Sequence, residues 1–274
     1  MEKLKVAVQV YSVRDDAEKD FRGTVKKLKA MGYAALELAG LYGMTAQEVR
    51  QILDEEGCPA ISAHVPYQMF EADLQKTVAD YAAIGCRYIA IPYVTEEYRP
   101  DGAKYEEMLA FIEEIGRACN AAGMTLLYHN HDFEFVKMPN GTYGLDDMYA
   151  RVDASLLQTE IDTCWVNVAG EEPSAYVRKY AGRCPIVHLK DFFMEGKVEN
   201  KYELIGIDEK KKAREEGHFE FRPVGHGMQD MPSIVKAAAE SGAEWVIVEQ
   251  DQSVGRAPLE AVEMSRQFLA GLGL

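Results

Sequence analysis

The chain has no Cys-x-x-Cys pair. Its five cysteines, Cys58, Cys86, Cys119, Cys164 and Cys184, are odd in number and scattered. That excludes a zinc ribbon, a dithiol redox motif and a complete disulfide framework, and buried free thiols are expected instead. No apolar stretch approaches the roughly 18 residues of a membrane span, and the first residues, Met1-Glu2-Lys3-Leu4-Lys5, hold no apolar signal segment. A reducing cytoplasm is the expected compartment. No Pro-, Gly- or Ser-rich linker divides the sequence, so 1–274 is expected to be a single domain. Positive charge is also scarce: 30 Lys and Arg stand against 45 Asp and Glu, a net charge of −15. A surface of that sign repels phosphate backbones and anionic headgroups, so neither nucleic acid nor membrane is an expected partner.

What the chain does have is a repeating alternation. Short runs rich in Val, Ile and Leu fall at 5–11, 33–39, 60–65, 87–93, 124–130, 157–162, 185–190 and 244–250. Between them lie helix-like stretches at 21–31, 45–56, 72–84, 104–122, 174–180, 232–241 and 259–269, several of which stop at a glycine such as Gly57, Gly85 or Gly123. Strand–helix units joined by right-handed crossovers close into a (β/α)8 TIM barrel, the predicted α/β fold. One interval is long: 191–230 is charged, contains Lys197, Glu199, Asn200, Lys201 and the run Asp208-Glu209-Lys210-Lys211-Lys212, and reads as an enlarged loop over the barrel mouth.

In such barrels chemistry sits at the C-terminal ends of the strands. Here those ends carry Glu37, His64, His129-Asn130-His131, Asp162, His188-Leu189-Lys190 and Glu249. Four of the six histidines are among them, and acids and imidazoles converging on one rim need a cation or a polar ligand to hold them together. Asp162, His188 and Glu249 are candidate metal ligands. No cysteine is placed to join them, so the donor set suits Mn2+, Co2+, Mg2+ or Fe2+, with Zn2+ also accommodated. The fifth run offers His129, His131 or Glu134 as a fourth ligand. Charge favours Glu134, since three carboxylates around the ion also supply a base. Gly225-His226-Gly227, ahead of Asp230 and Pro232, reads either as a phosphate cradle or, preferably, as the approach to a helix capped by Asp230.

The stretches Val8-Gln9-Val10-Tyr11-Ser12-Val13-Arg14, Tyr128-His129-Asn130-His131-Asp132-Phe133-Glu134-Phe135, Glu160-Ile161-Asp162-Thr163-Cys164-Trp165, His188-Leu189-Lys190-Asp191 and Val248-Glu249-Gln250-Asp251 together resemble the xylose-isomerase-like TIM-barrel superfamily. That superfamily contains sugar phosphate isomerases and epimerases and the family 2 AP endonucleases. The resemblance spans nearly the whole chain. It implies a divalent ion held by Glu134, Asp162, His188 and Glu249, with Glu134 and Glu249 as catalytic carboxylates. Strand 5 departs from the pattern, because His-Asn-His stands where relatives end in Glu, which leaves His129 as the rival ligand. Trp165 replaces a relative's histidine, either stacking on a sugar or packing. Glu37, His64, His129, His131, Trp165 and Lys190 are then the substrate-binding candidates, with Glu37 and Arg14 also able to pair with each other.

The implied activity is a metal-dependent isomerase or epimerase acting on a sugar, keto-sugar or polyol through an enediolate. The alternative sharing its site is a dehydratase or lyase of a keto-sugar or keto-inositol. An AP endonuclease-like phosphodiesterase is disfavoured by the net charge, and a barrel that binds sugar without chemistry is disfavoured by the acid–imidazole set. The expected partner is a small carbohydrate, with a homodimer left open by the resemblance.

Overall fold

In the computed structural model, which describes residues 4–196 and 217–274, eight parallel strands close a barrel. They are β1 (Lys5–Gln9), β2 (Ala35–Ala39), β3 (Ala60–His64), β4 (Tyr88–Ile91), β5 (Thr125–His129), β6 (Gln158–Asp162), β7 (Ile186–Leu189) and β10 (Trp245–Val248). The order around the ring is β1-β10-β7-β6-β5-β4-β3-β2, so every strand pairs with its chain neighbours in the ring and β10 closes onto β1 through Lys5↔Trp245 to Val8↔Val248. This is the (β/α)8 TIM barrel that the alternation predicts.

Ten helices accompany the strands among the described residues: α1 (Arg14–Lys19), α2 (Phe21–Ala30), α3 (Ala46–Glu56), α4 (Tyr67–Ile84), α5 (Tyr105–Ala121), α6 (Gly144–Arg151), α7 (Thr163–Val168), α8 (Pro173–Lys179), α9 (Met231–Glu240) and α10 (Pro258–Gly271). Three of them, α1, α6 and α7, are short helices in segments where the sequence pattern predicted none. The expected start of the third helical stretch, at 72, is a real boundary inside α4. Asp73 breaks the helical backbone (φ −161°, ψ 91°), and its side chain caps the continuation by accepting from the Lys76 amide. Gly57 and Gly85 end α3 and α4 in the left-handed conformation (φ 63° and 96°), the geometry that calls for glycine there.

The enlarged loop begins and ends as an antiparallel ribbon, β8 (Asp191–Glu195) with β9 (His218–Arg222). Its charged middle, including Lys197 and the run 208–212, lies outside the described residues. The aromatic residues Phe192, Phe219 and Phe221 pack with Trp165 and Cys164 in a separate buried cluster. The Gly225-His226-Gly227 turn does bind an anion, but it is the protein's own: Asp191 accepts from the amides of Gly225 (3.0 Å), Gly227 (2.9 Å) and Gln229 (3.3 Å). Asp230 then caps α9 through the Ser233 amide. No helix among the described residues is long and apolar enough to cross a membrane. All five cysteines are buried and free.

Inside the barrel, polarity changes with height. The lower interior is closed by Ala7, Ala35, Tyr88, Leu127, Trp245, Ile247 and their neighbours. The next inward positions, toward the C-terminal rim, are Gln9, Glu37, His129, Glu160 and His188, each at most 2 % exposed. Strand side chains alternate, so this polar layer sits directly above the apolar plug. Gly116 on α5 lets the helix approach the loop before β6: a Cβ there would lie 2.3 Å from the Leu156 carbonyl oxygen. Glycine-to-alanine normally strengthens a helix. Gly116→Ala is expected to weaken this protein by about 1–3 kcal/mol through overpacking, read as a lowered urea midpoint.

Candidate metal centre and active site

Asp162 ends β6 and begins α7. Its Oδ1 caps the helix by accepting from the Trp165 amide (3.1 Å), while Oδ2 is buried and has no hydrogen-bond partner. Asn130 ties the ends of β5 and β6 together by accepting the Asp162 amide proton at 3.0 Å. Around the orphaned Oδ2 stand His129 Nε2 at 3.6 Å and, across the ring, Glu249 Oε2, itself 3.1 Å from His188 Nδ1 and 3.9 Å from His129 Nε2. His129, Asp162, His188 and Glu249 therefore offer one ligand atom each, all within 4.8 Å of one another and all buried.

The far nitrogen of each imidazole is held by another carboxylate. His129 Nδ1 faces Glu160 Oε1 at 3.2 Å, and His188 Nε2 faces Glu37 Oε2 at 2.7 Å. A carboxylate behind a histidine fixes the ring and aims its other nitrogen, the usual support of a metal-binding imidazole. His64 completes the layer, with Nε2 2.7 Å from Glu160 and 3.2 Å from Glu37. An orphaned carboxylate oxygen, two backed imidazoles and a second carboxylate make a donor set that could bind a divalent ion of the Mn, Fe, Co or Zn type.

The charges follow from burial and proximity. Burial pushes Asp162 up to about 7 against the pull of the Lys190 ammonium. Glu160 is raised to about 7 by burial and by the neighbouring Glu37 charge. Glu249 is equally buried, yet Lys190 and His188 hold it well below the usual carboxylate range. Burial, reinforced by His188 and His64, keeps His129 well below its ordinary value and neutral, with a lone pair available. Burial opposes charge on His188 too, but there Glu160 and Glu37 prevail and raise it.

Above this layer lies a cavity of about 420 Å³, with His64, His129, His131, Lys190, Glu249 and Asp251 in its lining. Lys190 is 1 % exposed. Its ammonium lies 2.5 Å from Asp251 and 3.2 Å from Glu249, and it is backed by the faces of Trp165 and Phe221 at 5.6 and 5.1 Å.

Three expectations are corrected. Glu134 does not join the ligand cluster. It sits in the 3-10 turn Phe133–Phe135, where Oε1 accepts from the Tyr128 hydroxyl (2.6 Å) and Oε2 from the His131 amide (2.7 Å), so it can serve neither as ligand nor as base. His129 takes its place. Glu37 does not line the cavity or pair with Arg14. It is fully buried against Gln9 and His188, while Arg14 donates to the carbonyls of Tyr11 and Asp251. Trp165 is also fully buried and packs behind Lys190 instead of facing a substrate.

Two further carboxylates, Glu160 and Asp251, belong to the site without being expected from strand ends alone. Each lies two residues from a nominated ligand, Asp162 and Glu249, and so shares its face of the strand or its extension, which was the available signal.

Residues 25–271 match the family described as xylose isomerase-like TIM barrel. The chain belongs to this family. It is 23% identical to an inosose dehydratase of Clostridium beijerinckii over 92% of this chain and 89% of that one. An inosose dehydratase of Lacticaseibacillus casei is also 23% identical, over 92% of this chain and 89% of its own. Among solved structures, a sugar phosphate isomerase/epimerase from Parabacteroides distasonis superposes with a TM-score of 0.77 at 22% identity, covering 98% of this chain and 94% of that one. At that identity the structural likeness speaks to the fold.

Chelator-treated protein is expected to take up one Mn2+ per chain in isothermal titration. His129→Ala and Asp162→Asn should each weaken uptake more than about a hundredfold, and Glu134→Gln should leave it within about twofold. Equal losses in all three would restore Glu134 to the centre. Glu134 also carries a pH signature. Burial raises it from 4.5 to about 7, although its two hydrogen bonds pull the other way. The folded chain then keeps a proton that the unfolded chain releases across that window, so Glu134 subtracts stability as pH rises from 4.5 to 7. The melting temperature of wild type relative to Glu134→Gln, measured with chelator present, should fall over the same range.

Proposed function

We propose that the protein is a divalent-metal-dependent dehydratase of keto-polyols or keto-sugars. It removes a proton from carbon beside a carbonyl and expels the hydroxyl from the next carbon as water. The observation that carries this reading is the imidazole at the end of β5. Of the four candidate ligands, only His129 and Glu249 reach the cavity wall, so a single carboxylate of the cluster faces the substrate, with a buried cation beside it. Elimination needs one base and one acid. Epimerisation needs proton acceptors on both faces of the carbon; Glu134, which would have been the second, is turned into Tyr128 and His131, and the other carboxylate of the lining, Asp251, is tied to the Lys190 ammonium. The relatives named inosose dehydratase point the same way.

When bound by His129, Asp162, His188 and Glu249, a divalent ion supplies positive charge that acidifies the proton beside a carbonyl. With His188 Nδ1 turned to the ion, Glu249 Oε2 is held by Lys190, which leaves Oε1 to take the carbon-bound proton. Lys190, fixed by Asp251 and its aromatic backing, donates a proton to the departing hydroxyl oxygen. The substrate thereby loses one proton and one hydroxide and gains a carbon–carbon double bond. His131 lines the cavity with an Nδ1 that has no hydrogen-bond partner, and it holds a substrate hydroxyl in register.

A keto-inositol incubated with the Mn2+-loaded protein in D2O should lose one water, seen by mass and by the absorbance of a conjugated carbonyl. Chelator should stop the reaction, and Mn2+ or Co2+ should restore it. Glu249→Gln should lower kcat at least about a hundredfold. Deuterium uptake with every hydroxyl retained would replace dehydration by epimerisation. Neither event in the loaded enzyme, across keto-inositols and keto-hexoses, would remove the reading.

A further inference from the structure

The lining of the cavity is divided by arc. The segments that follow β5, β7 and β10 bring His131, Lys190, Glu249 and Asp251. The ends of β1 to β4 and the segments that follow them bring Tyr11, Ala39, Pro66, Met69, Pro92 and Tyr93, with two polar side chains among them, Gln68 and His64, whose Nε2 is turned to Glu160. Tyr93 presents its ring, because its hydroxyl is engaged by Arg99 at 2.8 Å. The Tyr11 ring is braced by the Arg14 guanidinium at 4.2 Å. Met69 is 40% exposed at the rim, whereas Tyr67 and Phe70 beside it on α4 are buried.

A free sugar bears hydroxyls all round. Set between these arcs, it would satisfy its oxygens on the charged side and find few partners for them on the other, where Gln68 and His64 stand among apolar side chains. A molecule with a polyhydroxylated end and an apolar end gains on both sides.

We infer that the substrate is amphipathic: a keto-polyol or sugar unit that carries an apolar, preferably aromatic, substituent, with that substituent seated against Tyr11, Pro66, Met69 and Tyr93. This rests on the proposed dehydratase reading for the identity of the polar half, but the apolar half stands on the wall itself.

The test is binding, which needs no turnover. Phenyl β-D-glucopyranoside and methyl β-D-glucopyranoside share their polar unit and are titrated calorimetrically into the full chain, with Mn2+ and again with chelator. The phenyl glycoside should bind at least about tenfold more tightly, and that preference should persist without the ion, because none of Tyr11, Pro66, Met69 and Tyr93 is a candidate ligand. Met69→Ser, a rim change checked by its melting temperature, should cut the preference for the phenyl over the methyl glycoside about threefold. Equal affinities, no binding of either glycoside, or a preference that disappears with the ion would each overturn the inference. Failure of the water-loss assay would leave this comparison standing, and a lost phenyl preference would leave dehydration standing, so the two readings fail separately.

Discussion

Charge placed inside a barrel must be paired there, since it cannot reach water. The protein meets this constraint by alternating imidazoles and carboxylates around one layer: His64 and His188 each lie between Glu37 and Glu160, and His129 leans on Glu160 from the side. Removing one member would leave its neighbours buried and unpaired, a penalty of several kcal/mol for a charged group. The upper quartet depends on this layer. The nitrogens of His129 and His188 point upward because their other nitrogens are already committed below.

The apolar plug beneath and the aromatic cluster beside complete the support. Trp245, Ile247 and Tyr88 close the barrel under the imidazoles with apolar side chains. Laterally, Trp165, Phe192, Phe219 and Phe221 form a wall that β8 and β9 contribute as much as α7 does. Lys190 rests on that wall. Its backbone carbonyl is held by Gln229 at 2.6 Å, and the Asp191 next to it anchors the turn that contains Gln229. A long insertion between β7 and α9 thus fixes one cation at the cavity.

Much of this was legible in the sequence, for physical reasons. Every apolar run overlaps a strand, because strands buried on both faces need continuous Val, Ile and Leu. Asp162, His188 and Glu249 were visible because a charged group ending such a run has few explanations. Three short helices, α1, α6 and α7, were not legible: α7 has six residues, and it forms because Asp162 caps it and its residues pack, which periodicity cannot register. The choice between His129 and Glu134 also lay beyond pattern. It turns on the chain bending into a 3-10 turn after Asn130, which swings Glu134 onto Tyr128, and a carboxylate in a strand-like stretch carries no mark of that bend. Glu37 misled in the opposite way, since a strand-end acid looks like a mouth residue until its partners across the barrel are known.

The division of the cavity between two arcs has a consequence for how such a protein diversifies. Candidate ligands and the buried lysine arise from β5, β6, β7 and β10, whereas the apolar wall comes from segments after β1 to β4. The two arcs are carried on different strands and touch at particular contacts, among them the Arg14 guanidinium on the Asp251 carbonyl and the Tyr93 ring against His131. A lineage can therefore exchange what it recognises without rebuilding how it reacts, and relatives with little sequence in common at the wall can share one chemistry at the floor.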